Sequence, residues 1–297
     1  MIAVVGSTGY IGGLLCRRLC EEGQDVRALA RHPERAEELR QAGCEVVRAD
    51  VLEPETLGPA LEGVEVAYYL VHSMGRGSDG DFAARDHEGA ENFARAAAAA
   101  GVKRIVYLGG LGEGSKHLDS RHATAVTLQE GEVPVTYFRA AAVIGAGSES
   151  FRTTFYLVRR LPLMITPRWV TTRTQPIAVA DAVAYLAAAA DLSLPVDREI
   201  EIGGPDVTTY GGMIDELAEA LGRHPPRRLT VPLLTPWLSS LWIGLVTPVD
   251  PGVARPLIEG LATETTVSDP SGMALFDGVE RTPLRPALRQ AAQAVRK

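Results

Sequence analysis

The sequence predicts an α/β protein with a doubly wound parallel sheet. Over the first 140 residues, short apolar runs alternate with longer amphipathic stretches, as expected when helices cover both faces of a parallel sheet. The run from Ala67 to Leu70 is wholly apolar, which is typical of a strand buried on both faces. After residue 145 the elements shorten and prolines become more frequent. The sequence therefore also predicts a small, mostly helical C-terminal lobe.

Each apolar run and each amphipathic stretch is assigned to one element. Strands are predicted at 2–5, 25–30, 45–48, 65–71, 104–108, 135–139, 176–179 and 199–202. Helices are predicted at 10–22, 33–42, 53–61, 81–100, 119–129 and 180–190. The run at 176–179 is expected to return to the central sheet, because it is short, apolar and preceded by a break in the pattern.

Composition and charge restrict the partners. Of the 297 residues 46% are hydrophobic and 23% are charged, as in ordinary globular proteins. The net charge of −7 disfavours a nucleic-acid partner, which requires a basic face. The opening residues lack the basic-then-apolar pattern of a secretion signal, and no run reaches the roughly 18 apolar residues of a spanning helix. We therefore expect a cytoplasmic protein.

The three cysteines predict free thiols. Their odd number and irregular spacing do not form a disulfide framework. Cys16 and Cys20 lie four residues apart on a predicted helix, so a thiol pair or a metal site is an alternative to the usual role of small buried hydrophobes. No Cys/His cluster has the spacing of zinc ligands, and we predict no metal.

A glycine motif follows the first strand. Gly6, Gly9 and Gly12 have the spacing Gly-x-x-Gly-x-x-Gly where the strand meets the first helix. Gly6 permits a tight turn, Gly9 lets the backbone approach a pyrophosphate at the helix N-terminus, and Gly12 lets helix and strand pack closely. This context predicts a Rossmann-type dinucleotide site. The loop residues expected to contact the cofactor are Gly6, Ser7, Thr8, Gly9, Tyr10, Ile11 and Gly12.

The end of the second strand favours NADP(H) over NAD(H). An acidic residue there would bind the ribose 2′-hydroxyl of NAD, and this sequence has none. Arg31 can instead form charge-assisted hydrogen bonds with a 2′-phosphate, and Ser7 and Thr8 can add hydroxyl donors. Asp50 and Val51 follow the third strand and are expected near the adenine, although Asp50 could equally cap the next turn.

The glycine loop resembles that of the extended and atypical short-chain dehydrogenases/reductases. Arg31 with the segments Ala49-Asp50-Val51 and Tyr107-Leu108-Gly109-Gly110-Leu111 is similar to the NmrA-like NAD(P)-binding group. Further stretches resemble a bacterial subgroup with a C-terminal DUF2867 region; they lie at residues 69–74, 120–122, 166–170, 175–177 and 202–206. The resemblance covers nearly the whole chain. The change of pattern after residue 145 predicts an NAD(P)-binding domain of residues 1–145 with a returning segment 175–202, and a substrate-side lobe of residues 146–174 and 203–297.

The catalytic residues usual in this superfamily are replaced. Its members carry a serine after strand five and a Tyr-x-x-x-Lys motif on the next helix, whose tyrosine protonates the carbonyl oxygen. Here the serine position reads Gly109 or Gly110, and if Arg121 takes the lysine place, His117 takes the tyrosine place one helical turn away. Histidine can exchange a proton near neutral pH, whereas arginine stays charged and can hold the nicotinamide ribose or an oxyanion. His117 and Arg121 are the predicted catalytic pair, unless the dyad has decayed to surface residues.

Other candidate residues lie where parallel strands end. His72 and Ser73 follow strand four, at the edge where ligands bind in open α/β sheets. Ala141 follows strand six and offers a small surface beside the nicotinamide. The predicted substrate residues are His72, Ser73, Ala141, Trp169 and Gln175, and the predicted cofactor contacts outside the glycine loop are Arg31, Asp50, Val51, Val71, His72, Gly109 and Arg121.

The segment 232–249 is strongly apolar and has four candidate roles. It could roof a hydrophobic pocket, pack inside the small lobe, join copies in a homo-oligomer, or touch a membrane surface. Peripheral membrane contact is the least favoured, because interfacial helices usually carry Lys or Arg on their polar face and this segment has neither.

Together these features and the resemblance imply an NAD(P)H-dependent oxidoreductase that reduces an apolar carbonyl, enone or quinone as its small-molecule substrate. The missing serine and tyrosine leave two alternatives. One is a non-catalytic protein that senses NADP and changes partners accordingly. The other is an isomerase or epimerase that uses bound cofactor without net consumption.

Overall fold

The computed structural model describes residues 1–72, 82–231 and 263–295, apart from the side chains of Phe82, Lys116, His117, Arg168, Trp169 and Thr230. The strands of the described part are β1 (Ile2–Val5), β2 (Val26–Ala30), β3 (Glu45–Arg48), β4 (Val66–Tyr69), β5 (Arg104–Gly110), β6 (Val135–Ala140), β7 (Val143–Ile144), β8 (Leu163–Thr166), β9 (Arg173–Thr174), β10 (Ile177–Ala178), β11 (Glu199–Ile202), β12 (Thr208–Thr209) and β13 (Arg227–Thr230). The helices are α1 (Tyr10–Glu21), α2 (Glu37–Gln41), α3 (Leu57–Leu61), α4 (Phe82–Ala99), α5 (Lys116–Gln129), α6 (Glu149–Arg160), α7 (Val179–Ala188), α8 (Tyr210–Ala220) and α9 (Leu284–Val295).

The central sheet confirms the α/β fold class. Seven strands lie in the order β11-β6-β5-β4-β1-β2-β3, and every neighbouring pair is parallel. From β1 the chain runs outward through β2 and β3 on one side and through β4, β5 and β6 on the other, so the strand order reverses between β1 and β4. Such a switch point leaves a crevice at the carboxyl ends of the strands, where ligands bind in this type of sheet.

Two hydrophobic cores cover the faces of the sheet, and a third lies outside it. Val4 and Tyr68 point toward α1 and α7, whereas Ala3, Tyr69 and Tyr107 point toward α3, α4 and α5. A separate core forms between α6, α8 and α9. The expected division into an NAD(P)-binding domain and a substrate-side lobe stays a prediction.

The expected strand at 176–179 is wrong in extent and in partner. Only Ile177 and Ala178 are extended, and they pair with β7 in a separate two-stranded sheet. The outer edge of β6 is occupied by β11, which supplies the seventh strand. Val179 already begins α7, because an apolar run of this length is compatible with either a buried strand or the start of a buried helix.

Two predicted helices are interrupted. The stretch 33–42 divides into a short 3-10 turn at Pro33–Arg35 and α2, and the stretch 53–61 divides into a turn at Pro54–Thr56 and α3. Within the described ranges no helix has the length and apolar character needed to cross a bilayer. The apolar segment 232–249 lies outside the described residues.

The three cysteines come together between α1 and the start of β3. The sulfurs of Cys20 and Cys44 are 3.1 Å apart, and Cys16 is buried beside them. Hydrogen bonding from Cys16 and Cys20 lowers the pKa of Cys44 to about 6, although burial opposes ionisation. Among the described residues no group of three His, Cys, Asp or Glu side chains could hold a metal ion. The cluster is therefore a set of free thiols in the described structure.

Candidate functional site

The glycine loop has the backbone geometry that the motif predicts. Gly6 has a φ of +83°, and a Cβ there would lie 2.4 Å from the Leu70 carbonyl oxygen at the end of β4. A Cβ on Gly12 would lie 2.3 Å from the Gly6 carbonyl oxygen. Gly9 precedes α1, and no side chain caps that helix. The first N–H groups of α1 are therefore left for a ligand beside the loop.

Two cavities adjoin the glycine loop, and Gly6, Gly9, Leu70 and His72 line both. The smaller cavity, of about 370 Å³, lies toward β2 and β3. The larger cavity, of about 450 Å³, lies toward β5, β6 and α6. A dinucleotide has two nucleotide halves joined by a pyrophosphate, so two cavities meeting at a glycine loop fit its shape.

The smaller cavity is lined by charged side chains. Arg31 is exposed, and no carboxylate forms an ion pair with it in the described ranges. Asp50 accepts a hydrogen bond from the Leu52 backbone N–H at 3.0 Å, so it also closes a turn. The predicted cofactor residues that line this cavity are Gly6, Thr8, Gly9, Arg31, Asp50, Val51, Val71 and His72.

Ser7 does not present its hydroxyl to either cavity. Its side chain is fully buried and donates a hydrogen bond to the Leu29 carbonyl at 2.9 Å. The hydroxyl therefore joins the loop to β2, which corrects its expected role as a donor to the cofactor phosphate. The residue follows Gly6, and the turn at Gly6 directs the side chain inward.

The larger cavity is mostly apolar. Ile11 and Leu70 lie on the loop side, Leu108 and Leu111 at the end of β5, and Val143 beyond β6. Ala140, Ala141 and Ala142 form a wall of small side chains between them. The predicted residues on this cavity are Gly6, Gly9, Tyr10, Ile11, Gly12, His72, Gly109, Arg121 and Ala141.

Arg121 supplies a positive charge to this apolar cavity. It lies on α5, and its Nε is buried without a hydrogen-bond partner. No carboxylate forms an ion pair with it in the part of the chain that the structure describes. Burial lowers the pKa of Arg121, and the nearby Tyr107, Tyr137 and Asp86 oppose that shift. An orphaned guanidinium N–H in such a place is suited to an oxygen atom of a ligand.

Neighbouring side chains fill the position where the sequence resemblance led us to expect a serine. A Cβ on Gly109 would lie 2.7 Å from the Tyr137 ring, and one on Gly110 would lie 2.5 Å from Leu118. The Tyr137 hydroxyl is buried without a hydrogen-bond partner, and burial raises the pKa of Tyr137 to about 12. Its ring stacks on Tyr107 with centroids 5.4 Å apart. In this arrangement a serine at either position would require the Tyr137 ring or the Leu118 side chain to move.

Gln175 is not a wall of the cavity, contrary to expectation. Its side chain is 8% exposed and bonded at both ends. Nε2 donates to the Gly204 carbonyl at 2.7 Å, and Oε1 accepts from the Val267 N–H at 3.0 Å. Gln175, which lies just before β10, therefore links this part of the chain to the segments at Gly204 and Val267. Its amide group can do so because it both donates to a carbonyl and accepts from an N–H.

Three predicted residues cannot be placed by side chain. His117 is the second residue of α5, and Trp169 lies in a 3-10 turn at Arg168–Thr171, but both side chains lie outside the described part of the chain. Ser73 lies outside the described residues altogether. Their roles stay predictions.

Several lining residues were missed by sequence reasoning. Gly147 and Ser148 border the larger cavity before α6, and a glycine followed by a serine N-cap is a signal that could have been used. Arg85 and Asp86 border the smaller cavity from α4. Tyr210 and Thr265 have no local signal, because they reach the larger cavity from distant parts of the sequence.

Comparison with known proteins supports the dinucleotide site. Residues 6–144 match the model of an NAD(P)H-binding family. The matched residues contain the glycine loop and five strands of the central sheet, β2 to β6. The likeness to a DUF2867-containing subgroup stays a prediction.

Curated relatives match only parts of the chain. Photosystem II assembly factor Ycf39 of a Synechocystis strain is 34% identical over 107 residues, which are 36% of this chain and 32% of that protein. Ceramide reductase of Caulobacter vibrioides is 28% identical over 192 residues, which are 63% of this chain and 60% of that protein. The chain thus matches less than two thirds of the length of each.

Solved structures share the whole fold. The NADPH-dependent quinone oxidoreductase QOR2 of Escherichia coli superposes with a TM-score of 0.77 over 97% of this chain and 98% of its own, at 20% identity. At this level of identity the likeness shows the fold alone.

Proposed function

We propose that this protein is an NADPH-dependent oxidoreductase that reduces an apolar carbonyl, enone or quinone. The observation that carries the proposal is the unpartnered Nε of Arg121 at an apolar cavity that adjoins the glycine loop. A buried donor without a partner costs free energy, so its retention favours a ligand that accepts from it.

The smaller cavity is the proposed site of the adenosine half. The exposed guanidinium of Arg31 is suited to a 2′-phosphate, and the N–H groups at the start of α1 are suited to the pyrophosphate. The carboxylate that would bind a free 2′-hydroxyl is absent at the end of β2. When bound, the dinucleotide supplies the hydride. These features favour NADPH over NADH.

The larger cavity is the proposed site of reduction. Its leucine, valine and alanine side chains lower the polarity around Arg121, which strengthens the interaction of Arg121 with any oxygen that gains negative charge. Arginine does not release a proton at neutral pH, so Arg121 holds the oxygen and a second group protonates it. We assign that proton to the imidazole of His117, one helical turn before Arg121 on α5.

The character of the walls supports an apolar acceptor. Most side chains on the larger cavity are aliphatic, and a charged substrate would have to lose its hydration there. The names of a ceramide reductase and a quinone oxidoreductase among the similar proteins are consistent with this class. An aliphatic ketone, an enone and a quinone all present at least one carbonyl oxygen on an apolar frame.

The proposal is tested by following NADPH absorbance with a panel of quinones, enones and aliphatic ketones. We expect consumption with at least one member and slower consumption with NADH. Tight NADPH binding without turnover on any member would contradict the proposal and favour a sensor. Interconversion of substrate isomers with constant NADPH would favour an isomerase or epimerase.

One observation favours the sensor as the second candidate. The space of the usual serine is filled by Tyr137 and Leu118, so this chain has lost a group that the superfamily uses for reduction. A sensor would keep the glycine loop and Arg31 and would have no need of Arg121 or His117. Substitution of Arg121 therefore separates the two functions.

A further inference from the structure

The strands β8 and β13 form a small parallel sheet with one face buried and one exposed. Met164 and Thr166 are buried, and Arg228 donates to the Gly211 carbonyl on α8 at 2.7 Å. On the opposite face Leu163 and Ile165 of β8 are 54% and 45% exposed, and Leu229 of β13 is 58% exposed. We name Leu163, Ile165, Leu229 and Arg227 the β8–β13 face.

The apolar residues of the β8–β13 face are unusually concentrated. Three of the four most exposed large hydrophobic side chains in the described ranges belong to it. Ile165 and Leu229 are register partners on adjacent strands, so their side chains stand side by side. Single exposed aliphatic residues need no explanation, but neighbouring ones on one flat face indicate an interaction surface.

Cations lie beside this apolar face and just before it in the chain. Arg227 is the register partner of Leu163. Arg159 and Arg160 end α6 shortly before β8, and their guanidinium groups lie over the rings of Phe155 and Tyr156. In the described part of the chain no carboxylate pairs with Arg159 or Arg227. The sequence contains no Asp or Glu at residues 150–180, which hold five arginines, and none at residues 222–249, which hold three. Of these arginines, Arg152, Arg173 and Arg228 form ion pairs with Glu149, Glu264 and Asp215. In a chain with a net charge of −7, the exposed Arg159 and Arg227 make the surroundings of this face locally positive.

We propose that the β8–β13 face docks the protein on an anionic lipid surface. The leucine and isoleucine side chains enter the boundary between head groups and acyl chains, and Arg159, Arg160 and Arg227 contact lipid phosphates. The sequence alone disfavoured membrane contact, because the apolar segment 232–249 has no cations. The fold brings cations to an apolar face from α6 and β13 instead. This inference does not depend on the proposed enzymatic activity.

A second copy of the chain is a poorer occupant. A two-fold contact through the same face would bring the arginines of one copy against those of the other, and no carboxylate in either segment would neutralise them. A bilayer of anionic lipids offers both an apolar layer and many phosphates.

The experiment is sedimentation of the purified protein with vesicles of phosphatidylcholine alone or mixed equally with phosphatidylglycerol. We expect at least about tenfold tighter binding to the anionic vesicles, weakened by added salt. The double variant R159Q/R227Q is expected to lose about 25-fold in affinity, since each arginine near such a surface contributes about fivefold. The double variant L163S/L229S is expected to lose binding to a similar or larger extent.

Matched control variants remove the same residue types elsewhere. R95Q/R289Q removes two exposed arginines, and L192S/V207S removes two exposed aliphatic side chains, both away from this face. They are expected to bind anionic vesicles like the original protein. The melting temperature and NADPH binding of every variant are measured as well. Both are expected to be unchanged, because the substituted side chains are exposed.

Three results would overturn the inference. The first is no binding to anionic vesicles, or equal binding to both vesicle types. The second is loss of binding in the control variants as large as in the face variants. The third is a concentration-dependent dimer in sedimentation velocity that the face variants abolish, which would assign the face to a second copy.

Discussion

The two cavities beside the glycine loop differ in chemistry and in origin. The charged residues of the smaller one are Arg31, Asp50, Arg85 and Asp86, whereas the larger one is mostly aliphatic and has Arg121 and Glu149 as its charged residues. Under the proposed function, binding and reaction would be separated along one crevice. Charged side chains would recognise a polar ligand at one end, and at the other end low polarity would increase the effect of each charge.

Substitutions in the glycine loop are expected to have the largest effect on dinucleotide binding, because both cavities adjoin this loop. In G12V the new side chain would collide with the Gly6 carbonyl, since even a Cβ lies only 2.3 Å away. We expect dinucleotide affinity to fall more than about 100-fold by calorimetric titration, since the loop backbone must move away from the pyrophosphate.

The matched control is G58A. Gly58 lies in α3, and a Cβ there meets no atom within 4 Å. This variant is expected to bind like the original protein. Unchanged affinity in G12V would contradict the role of the loop, and circular dichroism on the same sample separates lost binding from lost folding.

Arg121 tests the reactive end. R121M keeps an aliphatic side chain in the cavity and removes the charge, so we expect kcat to fall about 100-fold or more while NADPH affinity changes severalfold at most. Steady-state kinetics with the best acceptor of the panel measure this. R95M, an exposed arginine on α4, is the control. A kcat within twofold of the original would remove Arg121 from the reaction.

Arg31 tests the recognition end. In R31A we expect the Kd for NADPH to rise about 10- to 50-fold, because a charge-assisted contact is lost, and the Kd for NADH to change less than twofold. The exposed R35A, four residues later, is the control. Equal losses for both cofactors would argue against a 2′-phosphate contact.

A substitution of Glu201 tests what stabilises the segment around Thr265, which lines the larger cavity. It accepts hydrogen bonds from the backbone N–H groups of Ser268 and Asp269 at 2.5 and 3.1 Å, close to Thr265 on the cavity wall. Burial opposes ionisation, but these hydrogen bonds outweigh it and lower the pKa of Glu201 below 4.5. Because the folded-state pKa is lowered, its stabilisation is present above the unfolded-state pKa and is lost as pH falls through the folded-state pKa.

The variant E201Q is therefore expected to lower the free energy of unfolding by about 1 kcal/mol near neutral pH and by less in acid. Urea denaturation at the two pH values measures the difference. E88Q, an exposed residue on α4, is the control. A loss that is the same at both pH values would exclude the carboxylate as its origin.

The sequence predicted the smaller cavity better than the larger one. Gly6, Arg31 and Asp50 follow strand ends whose order follows from alternating elements, so local pattern was sufficient. Ser7 was misjudged because the glycine spacing does not report which way a side chain turns.

The larger cavity depends on contacts that local pattern does not contain. Gln175 was expected at the ligand and instead joins three segments, because a polar residue near a sheet edge can satisfy backbone groups as well as a substrate. The contact of the Tyr137 ring with Gly109 was not predicted, since the residue pattern along β6 indicates only that the Tyr137 side chain is buried. Tyr210 and Thr265 arrive through the packing of α8 and the last described segment.

The origin of the two cavities has a consequence for biosynthesis. Among the described residues, those that line the smaller cavity all lie between Val5 and Asp86, whereas the larger one is incomplete until Thr265 has been made. Because N-terminal parts of a chain fold first as the ribosome releases them, the surface for the adenosine half is translated long before the chamber that would hold an acceptor. A growing chain that captured a dinucleotide at that stage would have no finished reaction chamber around it.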